Sequence, residues 1–268
     1  MYLNTLTRAL RLDMRRALSW KRLLTVSLAV FLVYLLNMRD DIGYAYQGSP
    51  MDVLYLYMIA RNSIYFSMLI FPLAALPYAT SFCVDWKYQF IRPMVMRSSV
   101  KGYAWSKVFS TALSGGLAIV VANVVLLAFL SVQFPLVLTD ADNMEAYLMG
   151  AFGSILGNGQ VLFYLACMVM LLFFVAAFLS VFALCISAYI PNVFVVLVAP
   201  LLGANIWNVI IGLLRLHSKW GLNNIATGDT KIGEGVIPLL IFGVAFTILI
   251  ILFGFLFVRR VQRRLQNG

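Results

Sequence analysis

The sequence predicts an all-α polytopic membrane protein: an amphipathic N-terminal interfacial helix, six transmembrane helices, and both termini in the cytoplasm. Three observations lead there. The 268 residues are 63% hydrophobic and only 11% charged, too little polar surface to cover a soluble fold of this length. The apolar residues fall into long runs separated by polar segments, the pattern of membrane spans. Lysine and arginine are concentrated in three of those segments, and such asymmetry sets orientation across a bilayer.

Residues 1–20 come first. Leu3, Leu6, Leu10, Met14 and Ala17 recur at helical spacing, with Arg8, Arg11 and Arg15 away from that stripe, which predicts a basic helix lying in the interface of the anionic inner leaflet. The first span, about residues 23–37, is short. Its apolar run Leu23–Leu36 would rise about 21 Å as a helix, against a core of roughly 30 Å. A signal-peptide core has that length, but no small-x-small cleavage site follows it, so a retained span extended by Lys21 and Arg22 is expected.

Asp40–Arg61 reads as an external segment, with Tyr44, Tyr46, Tyr55 and Tyr57 suited to the outer interface. The second span, 63–84, carries Pro72 and Pro77, each of which removes a helix hydrogen bond and should kink it. The third, 108–132, contains Gly115-Gly116, small enough for close helix approach. An acidic external segment follows, in which Asp142-Asn-Met-Glu145 has the form of a helix start. The fourth span, 161–190, is longer than a bilayer needs. Pro191-Asn192 turns into the fifth, 193–214, and 236–258 is the sixth, stopped by Arg259-Arg-Val-Gln-Arg-Arg264. The three segments 1–22, 85–107 and 259–268 hold 15 lysines and arginines, against five elsewhere; that side is predicted to be cytoplasmic. The chain is thus a single transmembrane domain.

The net charge of +10 does not point to nucleic acid, because the charges flank apolar runs instead of forming a basic domain. Cys83, Cys167 and Cys185 all lie in apolar runs and make no Cys-x-x-Cys pair, so neither a disulfide nor a metal site is expected. No Gly-x-x-x-x-Gly-Lys-Ser/Thr phosphate loop is present. His217, the sole histidine, falls in an external segment, where a solvated side chain is the simplest reading. No ionisable residue falls inside a predicted span, which argues against a self-powered carrier. The amides Asn123, Asn205 and Asn208 lie within spans and suit either a translocation path or interhelical hydrogen bonds.

The segment 85–107 is the most informative. It carries five basic residues against one acid and is far longer than a turn between two spans requires. Trp86, Phe90 and Ile91 to one side, with Lys87 and Arg92 elsewhere, predict a short surface helix that Pro93 stops. Such an element suits a grip for a cytosolic partner.

With this loop in view, the chain resembles the membrane subunits of type-2 ATP-binding-cassette exporters. The shared features are the basic N-terminal helix, six spans with both ends inside, and a long first cytoplasmic loop between spans two and three. Asp85, Met94-Val95, Ser98-Ser99 and Lys107 match that family's loop pattern; its acid-acid-Gly-Thr run is absent and the proline comes early, at Pro93. The resemblance implies that Asp85, Trp86, Lys87, Phe90, Ile91, Arg92, Arg97 and Lys101 contact an ATPase subunit through a coupling helix. It implies that a separate cytosolic ATPase, itself dimeric, binds ATP and Mg, and that this chain is no enzyme and holds no cofactor. A second copy or a sister permease would complete the path for an amphipathic drug, peptide or lipid leaving across a bacterial plasma membrane. The alternatives are a self-contained carrier or channel, and a membrane sensor or assembly subunit.

Overall fold

The computed structural model describes residues 2–46, 51–62, 66–138 and 147–266, with side chains for all of these except 2–6, 8, 9, 66, 67, 97, 98 and 218. Among the described residues the chain is helical, without strands. In order, the helices are α1 (Tyr2–Ala17), α2 (Trp20–Asn37), α3 (Arg39–Tyr46), α4 (Val53–Asn62), a π-helical stretch Phe66–Ile70, α5 (Phe71–Ala75), α6 (Ser81–Lys87) and α7 (Ile91–Ser98). There follow α8 (Val100–Gln133), α9 (Gly153–Gly157), α10 (Val161–Ser187), α11 (Val193–Leu213), α12 (Leu222–Thr227) and α13 (Ile237–Gln266). Five of them, α2, α8, α10, α11 and α13, are long and apolar enough to cross a membrane. This is the make-up of a multi-pass membrane protein.

Helix α10 is the centre of the bundle and packs against α8, α13, α11 and α5. Its aromatic side chains meet those of α13: the Phe178 ring lies 5.6 Å from Phe246, and Phe182 lies 5.2 Å from Phe253, edge to face. The peripheral helices are one-sided. On α2, Val26, Val30 and Tyr34 are buried, whereas Leu24, Leu28, Leu32 and Leu36 are exposed at every fourth position. Exposed leucines at that spacing form a face for lipid. Gly115 stands at a close approach within the bundle. A Cβ there would strike the Ser180 side chain and stand 2.8 Å from the Ala74 carbonyl oxygen.

The structure departs from the sequence reading at four places. The predicted second span, 63–84, is broken: Pro72 sits in the first turn of α5, and a turn at 76–80 that includes Pro77 separates α5 from α6. Proline lacks the N–H that a continuous helix would need there. The predicted loop 85–107 is shorter than expected, because α8 already begins at Val100. Pro93 does not stop a helix but stands in the first turn of α7, where a missing N–H costs nothing. Helix α13 runs on through the arginine cluster to Gln266, with Val261 buried on its packed side.

The polar segments at the end opposite α7 fold back on the bundle. Asp52 caps α4 by accepting the Tyr55 N–H at 2.6 Å and also accepts the Leu138 N–H at 2.9 Å. Tyr147 donates its hydroxyl to Asp52 at 3.3 Å; burial, and secondly that carboxylate, push its phenol above the ordinary tyrosine value. Gly228 ends α12 in the left-handed conformation, and its carbonyl accepts the Ala151 N–H at 2.8 Å. Of the expected aromatic patch, Tyr44 and Tyr46 are exposed while Tyr57 is buried. Asp142–Glu145 lies outside the described residues.

Candidate functional site

The site is built where α1, α6, α7, the start of α8 and the end of α13 meet. After α6 the chain reverses through Gln89, whose φ of 58° is in the left-handed region, and the Phe90 N–H bonds to the Asp85 carbonyl at 2.9 Å. Helix α7 ends at Ser99, with φ 70° and ψ 151°, a conformation normally left to glycine. The Ser99 hydroxyl accepts the Gly102 N–H at 3.2 Å and so caps α8. Helix α7 is therefore a separate unit set between two sharp reversals. Ile91 is buried and Met94 and Val95 pack on the same apolar cluster, while Arg92 and Met96 face outward.

The predicted contact residues divide into an outer and an inner set. Lys87, Phe90, Arg92 and Lys101 are exposed, as is their neighbour Tyr88. Trp86 stacks on Phe82 with ring centres 6.0 Å apart, and the Arg264 guanidinium lies 5.0 Å over its ring. Arg97 belongs to α7; its side chain lies outside those described. A groove of about 600 Å³ runs between α7 and the end of α13, with Trp86, Arg92, Met96 and Arg264 on its walls. Arg264 also donates to the Tyr189 carbonyl at 2.7 Å. Among the described residues, this outer surface is basic and aromatic.

Asp85 and Ile91 face inward instead. Asp85 is buried and pairs with the Lys107 ammonium at 2.7 Å. Lys107 is fully buried in α8, and its ammonium also lies 3.5 Å from Asp13 of α1 and donates to the Tyr78 hydroxyl at 3.2 Å. Three hydroxyls, that of Tyr78 among them, complete the carboxylates. Tyr78 donates to Asp13 at 2.5 Å, Tyr103 donates to Asp85 at 2.8 Å, and Ser106 donates to Asp13. Arg16 approaches Asp85 from outside at 3.9 Å, its side chain half exposed. Two carboxylates thus face one buried and one half-exposed cation. Buried charges persist only when paired and hydrogen-bonded in this way.

In this cluster Lys107 stands just outside the predicted third span, 108–132, in the part of α8 that precedes it. Lys107 lies about two turns inside α8, the long apolar helix. Asp13 was not anticipated as a site residue. Its signal was present: Leu10, Asp13 and Ala17 share one helical face, and Ala17 is buried beside it.

The three amides serve separate purposes. Asn123 is buried and its oxygen accepts hydrogen bonds from Tyr57 at 2.9 Å and Tyr34 at 3.2 Å; its amide donates to the Ile119 carbonyl at 2.8 Å. It binds α8 to α2 and α4. Asn208 accepts the Leu222 N–H at 3.0 Å and holds the start of α12. Asn205 is exposed on α11 and donates to the Leu201 carbonyl of its own helix at 2.9 Å. The structure does not bring these three together. No family model, no curated protein and no solved structure matches the chain.

Proposed function

We propose that the chain is the membrane subunit of an ATP-driven exporter of the type-2 ATP-binding-cassette class, powered by a separate cytosolic ATPase. The observation that supports this reading best is the adjacency of an outer docking face, at the corner between α6 and α7, to an inner charge lock on the last turn of α6. The end of α6, the turn after it and the start of α7 present Lys87, Tyr88, Phe90 and Arg92 outward. One turn earlier, Asp85 is tied to Lys107 of α8 at 2.7 Å. A partner that displaces α7 must therefore move or break a contact within the helical bundle, which is what coupling requires.

The remaining features of the reading follow the charge distribution. The α7 end, with both termini, faces the cytoplasm, and the broken segment 66–87 makes the sixth crossing. Helix α1 lies in the inner interface. A second copy or a sister permease supplies the other wall of the path, and the cargo is an amphipathic drug, peptide or lipid. Chemistry on ATP and Mg belongs to the partner. The test is ATP-dependent transport in vesicles containing the chain and its ATPase. The variants K87E and R92E are expected to leave the protein folded and ATP hydrolysis active while transport falls at least about tenfold, a change of 1.4 kcal/mol or more in coupling. Undiminished transport in both variants rejects the docking face.

The buried Lys107 cluster supports a second reading, a self-contained carrier that uses these ionisable groups as a relay. Transport in liposomes without any ATPase favours it; strict dependence on the ATPase favours the first.

A further inference from the structure

Beside the charge cluster a cavity of about 450 Å³ opens between the α1–α2 junction and the broken segment. Its polar wall contains Arg16, Arg22, Lys107 and Asp85. Lys107 is committed to Asp85 and Asp13, and Arg16 lies 3.9 Å from Asp85. Arg22 has no acidic partner among the described residues. Counting Asp13 behind the wall, three cations face two carboxylates, and one positive charge is left uncompensated.

The lining also includes the apolar Leu76, Pro77, Val84 and Phe90. Leu76 and Val84 are exposed on the flank of the bundle, as are Met68 and Leu69 farther along the broken segment. The cavity thus combines two arginines in its lining with exposed apolar side chains that continue along the outside of the protein. Trp20, exposed at the junction of α1 and α2, is the residue type that settles at headgroup depth.

We infer that this cavity binds a monoanionic phosphodiester, the headgroup of an anionic phospholipid, between Arg16 and Arg22. One negative charge balances the uncompensated cation. Guanidinium groups bind phosphate oxygens in a forked geometry that lysine does not match. An acyl chain follows Leu76 and Val84. The inference is independent of the exporter reading.

The full chain purified in a maltoside detergent is titrated with dioctanoyl-phosphatidylglycerol, and bound lipid is counted by native mass spectrometry. Dioctanoylglycerol, which lacks the phosphate, and inorganic phosphate are run alongside. Saturable binding of the phospholipid is expected, with about tenfold weaker binding in R22Q and a larger loss in R16Q/R22Q. The control R15Q/K21Q removes the same charge from exposed positions off the cavity wall and is expected to bind as the parent does. Because Arg16 also faces Asp85, the single variant R22Q keeps the test decisive if the double variant is unstable. Arginine-dependent binding of inorganic phosphate as tight as that of the lipid would support the phosphate site and assign it to a free anion. Parent-like binding by R22Q overturns the inference. So does an equal loss in R15Q/K21Q, or equal binding of dioctanoylglycerol.

Discussion

Lys107 is the residue on which the buried cluster turns. Removing it leaves Asp13 and Asp85 buried without their cation, and breaking a buried pair in this way typically costs about 3–5 kcal/mol. K107M is therefore expected to melt well below the parent protein. The three buried free cysteines, Cys83, Cys167 and Cys185, make a thiol-reactive dye a direct readout of unfolding. The triple variant D13N/D85N/K107M, with no charge left to desolvate, should recover most of the loss. A K107M protein that melts at the parent temperature would show that the cluster contributes no stability. Asn123 makes a second case. Its oxygen serves two buried tyrosine hydroxyls, so N123L should cost about 1–3 kcal/mol for each orphaned group and leave cargo preference unchanged. A change in preference without a change in melting would return Asn123 to the translocation path.

Among the helices, those that were legible in the sequence are those whose ends coincide with the ends of apolar runs. The runs predicted at 161–190 and 193–214 match α10 and α11 within a few residues. Helix α8 begins earlier than its apolar run because its first turns are amphipathic: Tyr103, Ala104 and Ser106 pack inward while Lys101 points out. Hydropathy alone reads such a stretch as loop, and only the tertiary contacts to α1 and α7 reveal it as helix. Pro93 misled for a related reason, since proline halts a helix that arrives at it but suits one that starts there. The Gly115 contact was foreseen in kind, though its partners were not. Replacing Gly115 by alanine must displace either Ser180 or the Ala74 backbone; overpacking of this kind costs about 1–3 kcal/mol. A fall in melting temperature for G115A larger than for G212A, where added bulk meets open space, checks the close approach of α8 to α10 and α5.

For the molecule as a whole, charge and packing converge on one end. The segments that hold 15 of the 20 lysines and arginines are those that meet around α7, and α13 carries its arginines alongside as a helix. None of this convergence is visible in a linear reading, because Asp13 of one polar segment is brought to Asp85 and Lys107, the two ends of another, by the packing of α1 and α6 on α8. A cytosolic ATPase is the partner we propose for this end. The most direct measurement is to purify the full chain in mild detergent from the cells that make it and to ask what accompanies it. Stoichiometric recovery of an ATPase subunit, lost with K87E or R92E and retained with the control K231E at the opposite end, is the predicted result. A pure, ATPase-free chain that transports in liposomes by itself would contradict the account and transfer the function to the Lys107 cluster.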